Sequence, residues 1–278
     1  MINLSSLDIN NKNLVIRVDM NVPIKDGNIL DSTRIEASLP TIEYALKNNA
    51  KILLISHLGR PIEGEYEESF SLKPVAKYLS KIVNEPCNVI DDLDSKSFFN
   101  KESNIQLLEN IRFFEGEKAN CKDLGAKLAS LGDIYVFDAF GTAHREQAST
   151  HSAIECAPVA CAGLLLQREN KFLSLALNNH ESPYVAVIGG AKVSSKLELI
   201  KHINSEADHI IVGGGIANTF LKAKGFDVGK SLFEDSMIDI AYNLIEKEKI
   251  ILPKKVITST TFEGKNVKET LLSEVGHN

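Results

Sequence analysis

The chain has 278 residues, 44% of them hydrophobic and 24% charged, with a formal net charge of -6; this balance fits a folded chain long enough for two domains and excludes a disordered or low-complexity one. Acidic overall, it is no general binder of nucleic acid or membrane surfaces, so any anion must be held by a local cluster of cations. No apolar run approaches the roughly 20 residues that cross a bilayer, and the opening "MINLSSLDINNKNLVIRVDM" has no basic segment followed by an apolar core, so a cytoplasmic protein is expected.

Short apolar runs then recur along the chain. Strands are expected in "NLVIRVDM", "KILLISH", "CNVID", "IQLLEN" and "IYVFDAF", and later in "YVAVIGG", "HIIVGGG" and "KKVITS". Most are almost wholly apolar rather than alternating, the pattern of strands buried on both faces. Between them lie segments with helical spacing: "TRIEASLPTIEYALKNN", "LKPVAKYLSKIV", "KDLGAKLASLG" and "MIDIAYNLIEKEK". Alternating strands and helices predict a doubly wound α/β fold with parallel sheets and right-handed crossovers. The longest helical candidate, "APVACAGLLLQRENKFLSLALNN", separates two such series. It predicts a first lobe over residues 1–168, an interdomain helix at about 158–178 and a second lobe from 169 to 278. Cys87, Cys121, Cys156 and Cys161 form no CxxC pair, so neither a metal nor a disulfide is expected of them.

Ligands of open α/β sheets gather beyond the carboxyl ends of the strands. In the first lobe those positions carry Asp19 and Asn21, His57 and Arg60, Arg112, and His144 with Arg145, while Arg34 opens the first helix. Guanidinium forks bind carboxylate and phosphate bidentately, and Asp19 and Asn21 can orient a hydroxyl, so the expected ligand is a small acidic phosphorylated metabolite. In the second lobe "GGAKVSSKLELI" follows a strand directly, and "GGGIANTF" repeats the device after the next one. Glycines there let a phosphate approach backbone N–H groups, and Lys192 and Lys196, four residues apart, can share one face of a helix's first turn. Alanine before Lys192 departs from a P-loop, and neither stretch reads G-x-G-x-x-G with an acidic residue about 20 positions on.

Taken together, "RVDMNVP", "DSTRIEASLPTI", "SHLGRP", "SLKPVA", "LLENIRF", "DAFGTAHR", "GGAKVSSK" and "GGGIANTFL" resemble the phosphoglycerate kinases in order and spacing. The resemblance implies two Rossmann-like lobes, the first binding 3-phosphoglycerate and the second MgATP or MgADP, and reversible phosphoryl transfer between them by a cytoplasmic monomer. It implies that Asp19 and Asn21 orient the glycerate, that His57, Arg60, Arg112 and Arg145 surround its phosphate, and that Arg34 lies at the reacting carboxyl. Lys192 is then the lysine at the transferring phosphoryl, with Gly190, Ala191, Lys196 and Gly214 around the nucleotide.

Family members continue past this point with a "WNGP"-type segment and a "GGGD"-type loop whose aspartate reaches magnesium. This chain is therefore read as C-terminally truncated, its second lobe incomplete, no metal ligand expected within it, and the 278-residue chain by itself expected to be inactive as a fragment. A non-catalytic 3-phosphoglycerate-binding protein and a dinucleotide-dependent oxidoreductase stand as alternatives.

Overall fold

Strand β1 (Asn13–Val18) is buried at every position from Leu14 onward, so its sheet needs cover on both faces. After a hairpin of β2 (Ile24–Lys25) and β3 (Asn28–Ile29), the chain alternates helix and strand: α1 (Thr33–Lys47), β4 (Lys51–Ile55), α2 (Lys73–Val83), β5 (Cys87–Ile90), β6 (Ile105–Leu108), α3 (Lys122–Ala129), β7 (Ile134–Asp138), the short α4 (Ala153–Cys156), β8 (Ala160–Ala162) and α5 (Leu164–Asn178). These are features of a computed structural model that describes residues 1–93, 99, 103–178, 180–245, 249–261 and 264–276.

β5, β6, β4, β1, β7 and β8 form one sheet in that order, every pair parallel. Alternate residues of β1 feed different cores. Leu14, Ile16 and Val18 pack with Ile35 and Ile42 of α1 and Val75 and Leu79 of α2. Val15 packs on the other face with Leu124 and Leu128 of α3 and Ala153 of α4. Arg17 shares the parity of Val15, so the strand's pleat carries a cation towards a face that elsewhere takes apolar side chains.

The first unit runs from Met1 to Phe172, where the sequence reading ended its first lobe at 168. The segment read as one helix from about 158 divides. Ala160–Ala162 is β8, an edge strand pairing with β7, and the helix starts only at Leu164, after Gly163. Three small residues carry little strand propensity, which hid the strand inside the helical spacing. Residue 179, at the end of that reading, lies outside the described residues.

The second unit, Leu173–Asn278, contains β9 (Val185–Gly190), α6 (Leu197–Glu206), β10 (His209–Gly213), α7 (Gly214–Ala223), α8 (Ile238–Ile245), β11 (Ile250–Ile251), β12 (Lys255–Thr258) and β13 (Lys268–Leu271). β11, β10 and β9 form a parallel sheet. Ala186, Ile188, Ile210, Val212 and Ile250 on one face share a core with Ile200 and Ile203 of α6, Ile216 and Phe220 of α7, and Leu244 of α8. Val185, Val187, Ile211 and Ile251 alternate onto the opposite face and are exposed.

Here the reading of "KKVITS" needs correction. β12 pairs antiparallel with β13 in a separate two-stranded sheet. Its residues alternate in exposure and Lys255 pairs with Glu269 across the ladder, the behaviour of a surface hairpin rather than a doubly covered parallel strand. Residues 246–248 of the helix expected in "MIDIAYNLIEKEK" lie outside the described residues.

Candidate functional site

β6, β4, β1 and β7 are consecutive neighbours in the large sheet, so the loops leaving their carboxyl ends start side by side. Those loops carry Arg112, then His57 and Arg60, then Asp19 and Asn21, then Arg145. α1 brings its second residue, Arg34, to Asp19 at 2.7 Å. The sequence-predicted residues of the first lobe are thus gathered along one sheet edge, as the strand order requires.

The loops are tied to one another by buried amides. Asn110, fully buried, accepts the Leu58 and Arg112 N–H groups on Oδ1, each at 3.1 Å, and donates from Nδ2 to the carbonyls of Leu58 at 2.8 Å and Phe70 at 2.9 Å. One side chain thereby fixes the path of the loop after β4 and the turn that starts Arg112. The neighbouring Glu109 takes Ser71 Oγ at 2.7 Å and the N–H groups of Leu72 and Asn110, both at 2.8 Å. Asn21 Oδ1 accepts the Gly59 N–H at 2.9 Å, and Ser56 Oγ accepts the Met20 N–H at 2.9 Å, joining the loops after β1 and β4. Both Glu109 and Asn110 stand in "LLENIRF", where sequence reasoning assigned only the arginine. Their signal was the pair of polar residues directly behind an apolar strand.

The cluster is strongly cationic. Arg112 is buried, donates to the Gly59 carbonyl, and keeps Nε without a hydrogen-bond partner among the described residues. The buried Nε of Arg145 is likewise unpartnered. Orphaned donors of this kind are what an incoming phosphate would satisfy. Arg60 is exposed and close enough for its charge to oppose that of Arg112, whose pKa is lowered first by burial and then by Arg145 and Arg17.

His57, 3% exposed, has its pKa lowered to about 2 by burial first and then by Arg17, Arg112, Arg145 and Arg34. It is neutral at any ordinary pH. Arg17 Nη2 approaches its Nδ1 to 3.4 Å; a guanidinium only donates, so Nδ1 accepts and the imidazole proton stays on Nε2.

Arg17 is the residue that sequence reasoning missed. It lies inside a strand rather than after one, and only the alternation of β1 reveals where it points. Its guanidinium is buried, which lowers its pKa, while Glu117 opposes that shift. Glu117 is itself raised by burial. Glu169 of α5 also reaches this region: its pKa is raised by burial and then by Asp19, and its Oε2 is buried without a partner among the described residues.

The second unit places its predicted residues differently from expectation. Lys192 and Lys196 both precede α6, Lys192 in an irregular stretch and Lys196 closing a 3-10 turn, Ser194–Lys196. They do not share the first turn of an α-helix. At the start of this turn Glu234 accepts the Ser194 N–H at 2.9 Å and its Oγ–H at 2.5 Å, so these first-turn donors are satisfied by a side chain. Both lysines are exposed.

The glycine loops, in contrast, do meet. Gly190 bridges Gly214 in parallel register, and Gly214 adopts φ +63 at the first residue of α7. A Cβ on Gly214 would lie 2.9 Å from the Gly190 carbonyl, and one on Gly215 2.3 Å from that of Ala191, so only glycine permits this backbone contact. Gly190, Ala191 and Gly214 consequently sit together beside the exposed start of α7.

Among the described residues no group of three or more His, Cys, Asp or Glu side chains is placed to hold a metal ion, and no helix is long and apolar enough to cross a membrane.

With this geometry in view, the comparisons with known proteins are specific. The phosphoglycerate kinase family model matches residues 4–277. The chain belongs to the phosphoglycerate kinase family. The phosphoglycerate kinase of Francisella tularensis subsp. novicida (strain U112) is 48% identical over 249 residues, which is 89% of this chain and 63% of the relative's length. The chain thus spans 63% of such curated relatives. Among solved structures, phosphoglycerate kinase from Coxiella burnetii is 43% identical with a TM-score of 0.81, covering 99% of this chain and 72% of that one. The enzyme from Pyrococcus horikoshii OT3 is 29% identical with a TM-score of 0.83, covering 98% and 71%.

Proposed function

We propose that this chain carries the 3-phosphoglycerate site and part of the nucleotide site of a phosphoglycerate kinase, catalysing reversible phosphoryl transfer between ATP and the carboxyl group of 3-phosphoglycerate. The observation that carries the reading is the pair of cations Arg112 and Arg145 beside neutral His57, each arginine keeping a buried Nε donor unpartnered among the described residues, in a chain of this family.

On this reading Arg112, Arg145 and Arg60 bind the phosphate, with neutral His57 donating from Nε2. Asp19 and Asn21 orient the hydroxyl, and Arg34 neutralises the carboxylate that is phosphorylated. Gly190, Ala191 and Gly214 leave room at their backbone for nucleotide phosphate, Lys196 holds its charge, and Lys192 neutralises the phosphoryl group in transfer. Positioning and charge neutralisation are the whole of the protein's contribution, because phosphoryl transfer needs little covalent help. The nucleotide enters as its magnesium complex, a substrate, and no metal-bound step is assigned to side chains of this chain. The protein works in the cytoplasm as a monomer on small-molecule substrates.

The experiment is a set of equilibrium titrations of the chain with 3-phosphoglycerate, ADP and NAD. Saturable binding of 3-phosphoglycerate and ADP without NAD is expected. Binding of 3-phosphoglycerate without ADP binding would instead favour a non-catalytic binding protein. Binding of NAD would overturn the reading.

A further inference from the structure

We propose that Ser149 is a positioning residue for the anion site, its hydroxyl holding the Arg17 guanidinium beside His57 while Glu117 fixes the hydroxyl in turn. The proposal rests on the phosphate-site reading above and adds to it the group that keeps a buried cation in place.

Ser149 lies in a π-helical turn, Ala148–Ser152, and is fully buried. Its Oγ accepts Arg17 Nε at 2.9 Å and donates to Glu117 Oε1 at 2.6 Å. Its backbone N–H donates to Glu117 Oε2 at 2.8 Å. Both carboxylate oxygens therefore accept from one residue, and among the described residues the hydrogen-bonded path from Arg17 to Glu117 runs through this hydroxyl.

A hydroxyl suits this place because it accepts and donates at once without carrying charge. A direct, bidentate pair between Arg17 and Glu117 would be the stronger contact, and it would draw the guanidinium away from His57. With Ser149 between them, Arg17 keeps Nη1 on the Val18 carbonyl and Nη2 towards His57 Nδ1. Arg17 is 1% exposed, so its effect on an anion comes from its charge and from fixing the imidazole, not from contact.

The same grip extends to a second arginine. Ala148 N–H donates to the Glu117 carbonyl at 2.9 Å, and Thr150 Oγ1 donates to the Arg145 carbonyl at 2.6 Å. π turns recur at functional sites; in this one the N–H and Oγ of Ser149 both donate to the Glu117 carboxylate.

Ser149→Ala leaves every formal charge intact and removes only the link. Arg17 then loses its Nε acceptor and is free to close on Glu117. Tyr135→Phe is the control: the Tyr135 hydroxyl donates to the Ser149 carbonyl at 2.6 Å, so this variant loosens the same turn without touching the link. The test titrates 3-phosphoglycerate and inorganic phosphate into the 278-residue chain and its two variants, and follows the Arg17 Nε–H signal by 15N NMR, assigned with Arg17→Lys. Ser149→Ala is expected to bind both anions about tenfold more weakly, the scale of one charged hydrogen bond, and to lose the slowly exchanging Arg17 signal. Tyr135→Phe is expected to keep its affinity within about twofold and retain the signal, even with a lowered Tm. Wild-type affinity in Ser149→Ala, or an equal loss in Tyr135→Phe, overturns the proposal alone. A wild-type chain that binds neither anion contradicts the phosphate-site reading and takes the proposal with it.

Discussion

Arg34 and Asp19 pair directly, Nη1 to Oδ2 at 2.7 Å, although the Arg34 side chain remains 54% exposed. The two residues assigned to a ligand's carboxylate and hydroxyl thus preset each other's geometry, and an incoming carboxylate must share Arg34 with Asp19. If Asp19 reads the hydroxyl, the wild-type chain should prefer 3-phosphoglycerate over its 2-deoxy analogue by about tenfold or more, and Asp19→Ala should reduce that preference to about threefold or less. Competitive titration of the two ligands measures this, and an unchanged preference would remove Asp19 from the site.

Asn110 makes four hydrogen bonds from a fully buried position. Asn110→Ala leaves buried amides and carbonyls unpaired, and each such group costs about 1–3 kcal/mol. The urea midpoint of the first unit should fall by the equivalent of about 2 kcal/mol or more, with weakened 3-phosphoglycerate binding as the Arg112 turn shifts. Unchanged stability would mean that the loops after β4 and β6 are held by other contacts.

Much of this was legible in the sequence because the relevant signals are local. The doubly apolar strands announced a parallel sheet, and the positions just after them announced the cluster. Arg17 was hidden because a strand-interior arginine reads as part of the strand; its role depends on Ser149 of the π turn, on His57 and on Glu117, which are distant in sequence. β8 was hidden by three small residues in a helix-like stretch. The lysine pair was misread because four-residue spacing suggests a helical face, whereas Ser194–Lys196 is a 3-10 turn and the α-helix starts only at Leu197.

The pH dependence of stability should carry the mark of His57. Its ordinary value of 6.5 falls to about 2 in the folded chain through burial and neighbouring arginines. The unfolded chain therefore binds the extra proton between these values, so this contribution is fully present above about 6.5 and is lost as pH falls towards 2. His57→Gln should lose stability less steeply than wild type from pH 6.5 to 4.5. Glu117 and Asp138, both raised by burial, act in the opposite sense but occur in both proteins and largely cancel in the difference. Urea denaturation across that range tests the claim, and parallel curves would contradict it.

Lys192 and Lys196 should fail differently. Lys196→Ala is expected to lower ADP affinity about tenfold, as loss of one charged phosphate contact does. In the full-length protein, Lys192→Ala should leave ADP affinity within about threefold and reduce phosphoryl transfer by about 10²-fold or more, since its charge is needed mainly in the transition state. Calorimetry with ADP and single-turnover assays separate the two, and equal loss of ADP affinity in both variants would make them one phosphate-binding pair.

The central claim is that an arginine cluster at the carboxyl edge of the first sheet, with Arg112 buried in it, binds a phosphorylated acid, and calorimetric titration of 3-phosphoglycerate into wild type and Arg112→Ala at two salt concentrations tests it most directly. Removing Arg112 should cost about 2 kcal/mol, roughly 30-fold in affinity, and wild-type binding should weaken as salt rises because the contacts are ionic. Equal affinity in the two proteins, or wild-type binding indifferent to salt, would contradict the account.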